Sequence, residues 1–178
     1  MSYSEKIAAL KDVNVIMGPW LDAMHRWVYR LGYPLARIKW RCLGGRAVGS
    51  AVVLLHADDI LVVRESYRDG LGLPAGGRKG TETPLQTALR EVCEEVGISL
   101  QADRLVHLYT VDFESDGRQI TNSVFEAHLD GRIEPCVDRR EIVWAGWMSR
   151  DEIGRADLQP VLRAYLLDPA RATDRNGA

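Results

Sequence analysis

The chain has 178 residues, 46% of them hydrophobic, and a formal net charge of −2 at pH 7. This length and composition indicate one soluble domain with a sizeable core and modest extensions. Because the charge balance is near neutral, with no basic surplus, we expect no duplex nucleic acid partner.

The lack of a long apolar run and the number of cysteines exclude further classes of protein. The sequence has no apolar run of about 18 residues and no cleavable leader, so we expect neither a membrane span nor secretion. The three cysteines, Cys42, Cys93 and Cys136, are odd in number and lack the spacing of metal ligands. We therefore expect no disulfide framework and no structural zinc, and we predict a reducing, cytoplasmic location.

Residues 1–40 are predicted to be an N-terminal extension with one amphipathic helix over residues 19–31. Apolar side chains recur there at helical spacing, and Gly32 ends the pattern: Trp20, Met24, Trp27, Val28 and Leu31. Such a stripe is typical of a helix that packs on a core or on a second copy of the chain in a homodimer. Its tryptophans and arginines also suit a helix lying at a membrane surface, and that alternative stays open.

Two β-strands are predicted next, over residues 47–56 and 60–65, joined as a hairpin by residues 57–59. Arg64 ends the second strand and Arg68 follows it. Together with Arg78, these arginines could make charge-assisted hydrogen bonds to a diphosphate, so we predict that all three bind substrate. An ordinary solvated surface is the alternative for each of them.

Residues 84–96 carry the signals of a helix. Thr83 suits the N-cap, Pro84 suits the first helical position, and Gln86 completes a capping box. Gly97 can take the left-handed conformation that ends a helix. One face is apolar and is expected to pack on the core: Leu85, Ala88, Leu89, Val92 and Val96.

The opposite arc of this helix is expected to be acidic. Glu91 and Glu95 are one turn apart with Glu94 beside them, so we expect three carboxylates to converge. Like charges at this spacing destabilise a helix and oppose its dipole near the C-terminal end. Two compensations are open: counter-ions from Arg90 and Lys79 on a solvated face, or a hard divalent cation shared with substrate phosphates. The glycine-bearing approach over residues 73–77 favours the cation.

The spacing of these residues resembles the Nudix box at every defining position: Gly76, Glu82, Arg90, Glu91, Val92, Glu94, Glu95, Gly97 and Ile98. The resemblance implies an α/β/α sandwich with a mixed sheet, which we assign to residues 41–167. It also implies cleavage, dependent on Mg²⁺ or Mn²⁺, of a diphosphate linked to another moiety, usually a nucleoside. Ala75 departs from the Gly-Gly-Gly or Pro-Gly-Gly approach of many members, and we expect this to be tolerated.

Roles follow from the resemblance, position by position. It implies a set of metal-site carboxylates, the last of which lies in the loop and supports the metal shell: Glu91, Glu94, Glu95 and Glu82. It implies that Arg90 orients a carboxylate and that Gly76 and Gly97 are structural. Arg90, Glu94 and Glu95 are therefore predicted to be catalytic.

After the box, strands are predicted over residues 104–113, 122–129 and 142–148, with a turn at 114–118. A short helix from residue 151, a helix over 158–167 and a disordered tail over 168–178 complete the chain. Glu141 stands at the mouth of the last strand. Family members often recruit a carboxylate from this loop to complete the metal shell or to take a proton from water, so Glu141 joins the catalytic set, with Glu114 and Glu126 in reserve.

Substrate identity is only narrowed by the sequence. No coenzyme A signature precedes the box, and Glu114 stands where subfamilies for ADP-ribose or dinucleoside polyphosphates carry proline or tyrosine. We therefore expect a nucleoside triphosphate, including an oxidised one, ahead of ADP-ribose or a nucleotide sugar. A nucleotide-sensing module without catalysis and a prenyl diphosphate isomerase are the alternatives of other classes, and the intact box favours the hydrolase.

Overall fold

The computed structural model describes residues 45–115, 117–137 and 141–167. The predicted N-terminal helix, Cys42 and the predicted tail lie outside these residues. Within them, no helix is long and apolar enough to cross a membrane.

One mixed sheet forms the centre of the fold, in the spatial order β4-β5-β1-β2-β6, with β3 paired to β1. Strands β1 and β5 are parallel and the other pairs are antiparallel. The strands are β1 Arg46–His56, β2 Asp59–Glu65, β3 Ala75–Gly77, β4 Val106–Ser115, β5 Arg118–His128 and β6 Ile142–Ser149. The helices are α1 Pro84–Val96, α2 Arg150–Ile153 and α3 Pro160–Leu167, with a 3₁₀ turn at Ala102–Arg104.

Helices cover both faces of this sheet, so the middle of each central strand is apolar at consecutive positions, over residues 51–55 of β1 and 60–63 of β2. Alternate residues of β1 and β2 face α1, whose contribution to this core is Ala88, Val92 and Val96. The intervening residues face α2 and α3, which contribute Ile153, Val161, Leu162 and Tyr165. The predicted α/β/α sandwich with a mixed sheet is therefore confirmed.

Helix α1 begins and ends where the sequence predicts. Thr83 accepts from the backbone N–H of Gln86, the Gln86 side chain accepts from the backbone N–H of Thr83, and Pro84 opens the helix. Gly97 ends it at φ 70°, a conformation that favours glycine. These local signals fix where the box carboxylates lie along the chain.

The sheet differs from the prediction in two places. The chain does turn within the predicted residues 114–118, but the turn is shorter than predicted, because Glu114 pairs with Gln119 and Ser115 with Arg118. In the glycine-bearing approach at residues 73–77, Ala75–Gly77 forms a strand, paired with Gly49, Ser50 and Ala51, that the sequence analysis does not predict. Glycines in a short strand gave no hydrophobic alternation from which to predict it.

Candidate active site

Two of the helix carboxylates are buried, which corrects the predicted acidic arc. Glu91 and Glu95 are each 8% exposed, whereas the Glu94 side chain is 50% exposed. At 100° per residue, Glu95 lies only about 20° around the helix from Ala88, on the side that faces the core. The carboxylates therefore border the apolar face instead of lying opposite it, and only Glu94 reaches well into solvent.

Gly76 makes the space that the Glu91 carboxylate fills. A Cβ atom built on Gly76 would stand 2.1 Å from Oε1 of Glu91. Any side chain there would displace either the carboxylate or strand β3, so the requirement for glycine is steric. Burial raises the pKa of Glu91, and the hydrogen bond from Arg90 opposes that rise.

Arg90 connects the loop to the helix. Its Nε donates to Oε1 of Glu82 at 2.7 Å and its Nη2 to Oε2 at 2.9 Å, a bidentate pair. Its Nη1 donates to Glu91 at 2.6 Å and to Glu94 at 3.0 Å. One guanidinium therefore holds three box carboxylates, and these bonds raise its own pKa.

Glu82 is fully engaged within the protein. Besides Arg90, the backbone N–H of Lys79 donates to it at 2.9 Å and the Thr87 hydroxyl at 3.1 Å. Hydrogen bonds, first from Arg90 and then from Lys79, lower the pKa of Glu82 to about 2. The structure thus places Glu82 where it fixes the loop against the helix. Lys79 Nζ also lies 3.0 Å from Glu94 and, by this hydrogen bond, lowers the pKa of that carboxyl.

Glu95 turns toward the sheet. Its Oε2 accepts from the backbone N–H of Ala75 at 2.9 Å. Burial raises the pKa of Glu95 well above its usual value; the Ala75 hydrogen bond opposes the rise, and the nearby carboxylates of Glu65, Glu91 and Glu141 add to it. A site with this surplus of negative charge favours a bound cation.

Glu65 is a member of this acidic site that the sequence interpretation missed. It is 9% exposed, its Oε2 has no hydrogen-bond partner among the described residues, and Arg68 Nε lies 3.7 Å away. Burial raises its pKa, which Arg68 opposes and Glu141 reinforces. The signal was available: Glu65 shares its strand face with Leu61 and Val63, so it is a carboxylate at an inward-facing position.

Glu141 lies at the same end of the sheet. The Tyr67 hydroxyl donates to its Oε1 at 2.6 Å, and its backbone carbonyl accepts from Ser66 N–H at 2.8 Å. Burial and the carboxylates of Glu65 and Glu141 raise the pKa of Tyr67, which keeps the phenol protonated. The reserve residues are elsewhere: Glu114 is exposed on the hairpin, and Glu126 accepts from Tyr165 on the face that α3 covers.

A cavity of about 260 Å³ opens between the start of β1, the start of β5, strand β3 and helix α3. Its acidic side includes Glu65 and Glu141, and its apolar and polar walls include Phe113, Ile120 and Asn122. The cavity therefore has apolar side chains on one part of its lining and carboxylates on another.

The predicted substrate-binding arginines are separated by the fold. Arg68 lines the cavity, and so does Arg118, which the sequence interpretation missed. Arg64 lies on the other face of β2 from Glu65 and stands 5.9 Å from the Trp144 ring. Arg78 is exposed, and its backbone N–H bonds to Val48. Among the described residues that line this cavity, neither Arg64 nor Arg78 is present.

The carboxylates of the site match, in their chemistry but not in their present arrangement, the divalent cation that the resemblance implies. In the part of the chain that is described, no three His, Cys, Asp or Glu side chains stand in a metal-binding arrangement, because Arg90 holds Glu91 and Glu94 while Ala75 holds Glu95. The chemistry nevertheless fits: these are carboxylate oxygens, the ligands of hard cations, and the buried ones repel one another. Side-chain rearrangement around Arg90 would be needed to bring them onto an ion.

Comparison with known proteins finds both similar sequences and similar solved structures. A Mycobacterium tuberculosis (strain CDC 1551 / Oshkosh) protein named "Putative 8-oxo-dGTP diphosphatase 3" is 36% identical over 92 residues, which is 50% of this chain and 42% of that relative. The chain thus matches less than half the length of this curated relative.

Solved structures share the architecture. A MutT Nudix hydrolase from Burkholderia pseudomallei matches at a TM-score of 0.59 and 26% identity, over 68% of this chain and 95% of that one. The Nudix domain of Shewanella oneidensis NrtR, solved with ADP ribose, matches at a TM-score of 0.61 over 71% of this chain and 87% of that one. At 18% identity, the second likeness shows the fold alone.

The family model of the NUDIX domain matches residues 45–168, a stretch that holds the whole box and every strand described above. Members of this family are pyrophosphohydrolases that generally use divalent metal cations. The chain belongs to the Nudix hydrolase family.

Proposed function

We propose that this chain is a Mg²⁺-dependent pyrophosphohydrolase of nucleoside triphosphates, with an oxidised one such as 8-oxo-dGTP as the preferred substrate. The observation that carries the proposal is the acidic end of α1, where Glu91 and Glu95 are buried and Glu94 is exposed. Glu91 packs against Gly76 and Glu95 accepts from Ala75, and both of these strand residues line the cavity. The similarity to a relative named for 8-oxo-dGTP supports the choice of substrate. The exposed thiols of Cys93 and Cys136 suit a reducing, cytoplasmic location.

Glu91, Glu94 and Glu95 would hold the cation, with Glu82 supporting the loop from behind. A bound divalent cation supplies charge neutralisation on the phosphates and a more acidic water. Arg90 keeps two of these carboxylates within reach of one another, since it donates to Glu91 and Glu94. Mn²⁺ offers the same preference for oxygen ligands and is expected to substitute.

The remaining roles fall to residues of the cavity. Glu141 accepts the proton of the attacking water, for which its carboxylate must come within hydrogen-bond reach. Arg68 and Arg118 both line the cavity and carry the charge to pair with phosphate oxygens. Phe113 and Ile120 offer apolar surface for a base, and Asn122 offers both a donor and an acceptor.

A substrate panel tests the proposal. Full-length protein is incubated with 8-oxo-dGTP, dGTP, ADP-ribose and UDP-glucose, each with Mg²⁺ or Mn²⁺, and products are separated by chromatography. We expect 8-oxo-dGTP to give a nucleoside monophosphate and pyrophosphate, with the largest kcat/KM of the panel.

Other outcomes separate the alternatives. Cleavage of ADP-ribose or UDP-glucose with no cleavage of triphosphates would replace the substrate assignment while keeping the reaction. Silence toward all four compounds, together with tight binding of one of them, would contradict hydrolysis and support a nucleotide-sensing module.

A further inference from the structure

We propose that Tyr67 is a positioning residue, whose phenol holds the Glu141 carboxylate at the cavity in the orientation that receives the proton of the attacking water. This inference rests on the proposed function, in which Glu141 takes part in hydrolysis. Tyr67 lies outside the box, between a strand end and the loop that leads to β3.

Two consecutive residues hold Glu141 in place. Tyr67 Oη donates to Oε1 of Glu141 at 2.6 Å, and Ser66 N–H donates to the Glu141 carbonyl at 2.8 Å. Both Tyr67 and Glu141 line the cavity. The Tyr67 bond reaches Oε1 of Glu141, and the proposal assigns the other oxygen, Oε2, to the attacking water.

An irregularity in the sheet creates this contact. Arg64 pairs with Trp144, but the next residue, Glu65, pairs with Ile142, so Val143 is an extra residue in β6. A β-bulge bends a strand and re-aims the side chains beyond it, often next to an active site. Here the shift places residue 141 opposite Ser66, with Tyr67 beside it.

Tyr67 is itself held from the side. The guanidinium of Arg68 stands 5.7 Å from the centre of the Tyr67 ring, a distance at which a cation attracts an aromatic face. The hydroxyl is therefore presented to Glu141 by a ring with limited freedom.

The chemical step is a displacement at phosphorus. The water oxygen forms a bond to phosphorus, and the bond from that phosphorus to the bridging oxygen breaks, so that the bridging oxygen takes the electron pair and departs as part of the second phosphate product. The water proton passes to Oε2 of Glu141. Tyr67 keeps its proton throughout and acts only through the orientation of the carboxylate. Displacement of a reacting group by about 1 Å can cost ~10²-fold in rate, so the fixed orientation matters.

The first experiment compares Tyr67→Phe with wild-type full-length protein in 8-oxo-dGTP hydrolysis with Mg²⁺. We expect kcat to fall about 10- to 100-fold, with KM changed by less than about threefold, because the hydroxyl orients a reacting group and does not bind substrate. The matched control is Tyr165→Phe, which removes a tyrosine–glutamate hydrogen bond of 2.8 Å, to Glu126, on the α3 face. It should keep kcat near wild type even where its melting temperature falls as far as that of Tyr67→Phe.

A double-mutant cycle tests whether Tyr67 acts through Glu141. If it does, Tyr67→Phe combined with Glu141→Gln should have the kcat of Glu141→Gln alone within about twofold, because coupled residues are not additive. Glu141→Asp probes the same contact with Tyr67 left intact: it keeps the charge, withdraws the carboxylate by one methylene, and should lower kcat as Tyr67→Phe does.

The failures can be told apart. Wild-type kcat in Tyr67→Phe, beside a strongly impaired Glu141→Gln, would overturn the role of Tyr67 and leave the proposed function standing. Losses of kcat that multiply in the double variant would overturn the role of Tyr67 as well. Wild-type kcat in Glu141→Gln would remove Glu141 from the reaction and the inference with it, while turnover by the wild-type protein would still support the hydrolase.

Discussion

Two groups of carboxylates meet at the C-terminal half of α1, and the fold treats them differently. The Arg90 cluster consists of Glu82, Glu91 and Glu94, and each of its members accepts a hydrogen bond from one guanidinium. The strand-end carboxylates are Glu65, Glu95 and Glu141. Their hydrogen bonds come from a backbone N–H and a phenol, and among the described residues no guanidinium donates to them.

The two groups differ in how much of their charge the protein itself compensates, and Glu91 and Glu94 are proposed cation ligands that Arg90 holds. Carboxylates paired with Arg90 fix the loop, the strand β3 and the helix in one arrangement. Glu65 and Glu95 are buried with little compensation; burial raises the pKa of each, the nearby Glu141 adds to both rises, and both are costly to keep ionised. Such a group gains most from a cation or a proton, which is the property that hydrolysis needs.

The largest effect is expected from Glu95→Gln, which removes one strand-end charge. We expect kcat to fall about 10²- to 10³-fold in the Mg²⁺-dependent assay, because an electrostatic contact of the reaction is lost. The folded protein should be at least as stable as wild type, since the amide oxygen can still accept from Ala75 and a buried charge is gone. Wild-type kcat, or loss of the native fold, would contradict the distinction between the two groups.

Arg90→Ala should act mainly through stability. It leaves buried Glu91 without its partner, so we expect the free energy of unfolding to fall by roughly 1–3 kcal/mol in a urea titration. Lys79→Ala is the control, because Lys79 pairs with Glu94 at an exposed position and should cost less than about 0.5 kcal/mol. Equal losses in the two variants would show that Arg90 is not the centre of its cluster.

Gly76→Ala tests the steric fit between β3 and the Arg90 cluster. The new Cβ would meet the Glu91 carboxylate, so we expect a loss of about 1–3 kcal/mol in the free energy of unfolding, with lower activity. Gly77→Ala is the matched control, since a Cβ there meets nothing within 4 Å. Thermal melting of both variants measures this loss. A Gly76→Ala variant as stable as wild type would mean that the Glu91 carboxylate moves away easily.

The smallest expected effect is a difference between the two groups in how the stability of the protein depends on pH, measured without metal. The pKa of Glu95 is raised in the folded state, so the unfolded chain releases its proton first, and stability falls as pH rises from the ordinary value of 4.5 toward the folded pKa. The melting temperature of Glu95→Gln should therefore gain on that of wild type as pH rises through this window.

The contribution of Glu82 to stability should depend on pH with the opposite sign. Its pKa is lowered from 4.5 to about 2, so its contribution is present above the unfolded pKa and is lost as pH falls through the folded one. The advantage of wild type over Glu82→Gln in melting temperature should shrink between pH 4.5 and 2. The same trend for both variants would contradict the contrast.

The sequence was sufficient for whatever is encoded locally. Thr83, Pro84, Gln86 and Gly97 signal the ends of α1 through their own backbone preferences, and the structure has the helix at the predicted residues. Apolar runs likewise predicted the central strands. The box spacing placed Arg90 and the acidic residues on one loop and helix.

The burial of side chains and their contact partners could not be predicted in the same way, because they depend on elements that are distant in sequence. Glu95 is buried because β3 packs against α1, and β3 lacks the alternation that announces a strand. Arg64 looked equivalent to Arg68, but strand alternation and the Trp144 ring direct it away from the cavity. Tyr67 meets Glu141 across 74 positions of sequence and through a bulge, which no local pattern encodes.

Calorimetric titration of Mn²⁺ into the full-length protein tests most directly whether these carboxylates form a cation site. Binding should be measurable in wild type and reduced at least about tenfold in affinity in both Glu91→Gln and Glu95→Gln, with melting temperatures showing that both variants are folded. Equal Mn²⁺ affinity in wild type and the two folded variants would contradict the assignment of the acidic end of α1 as the catalytic centre.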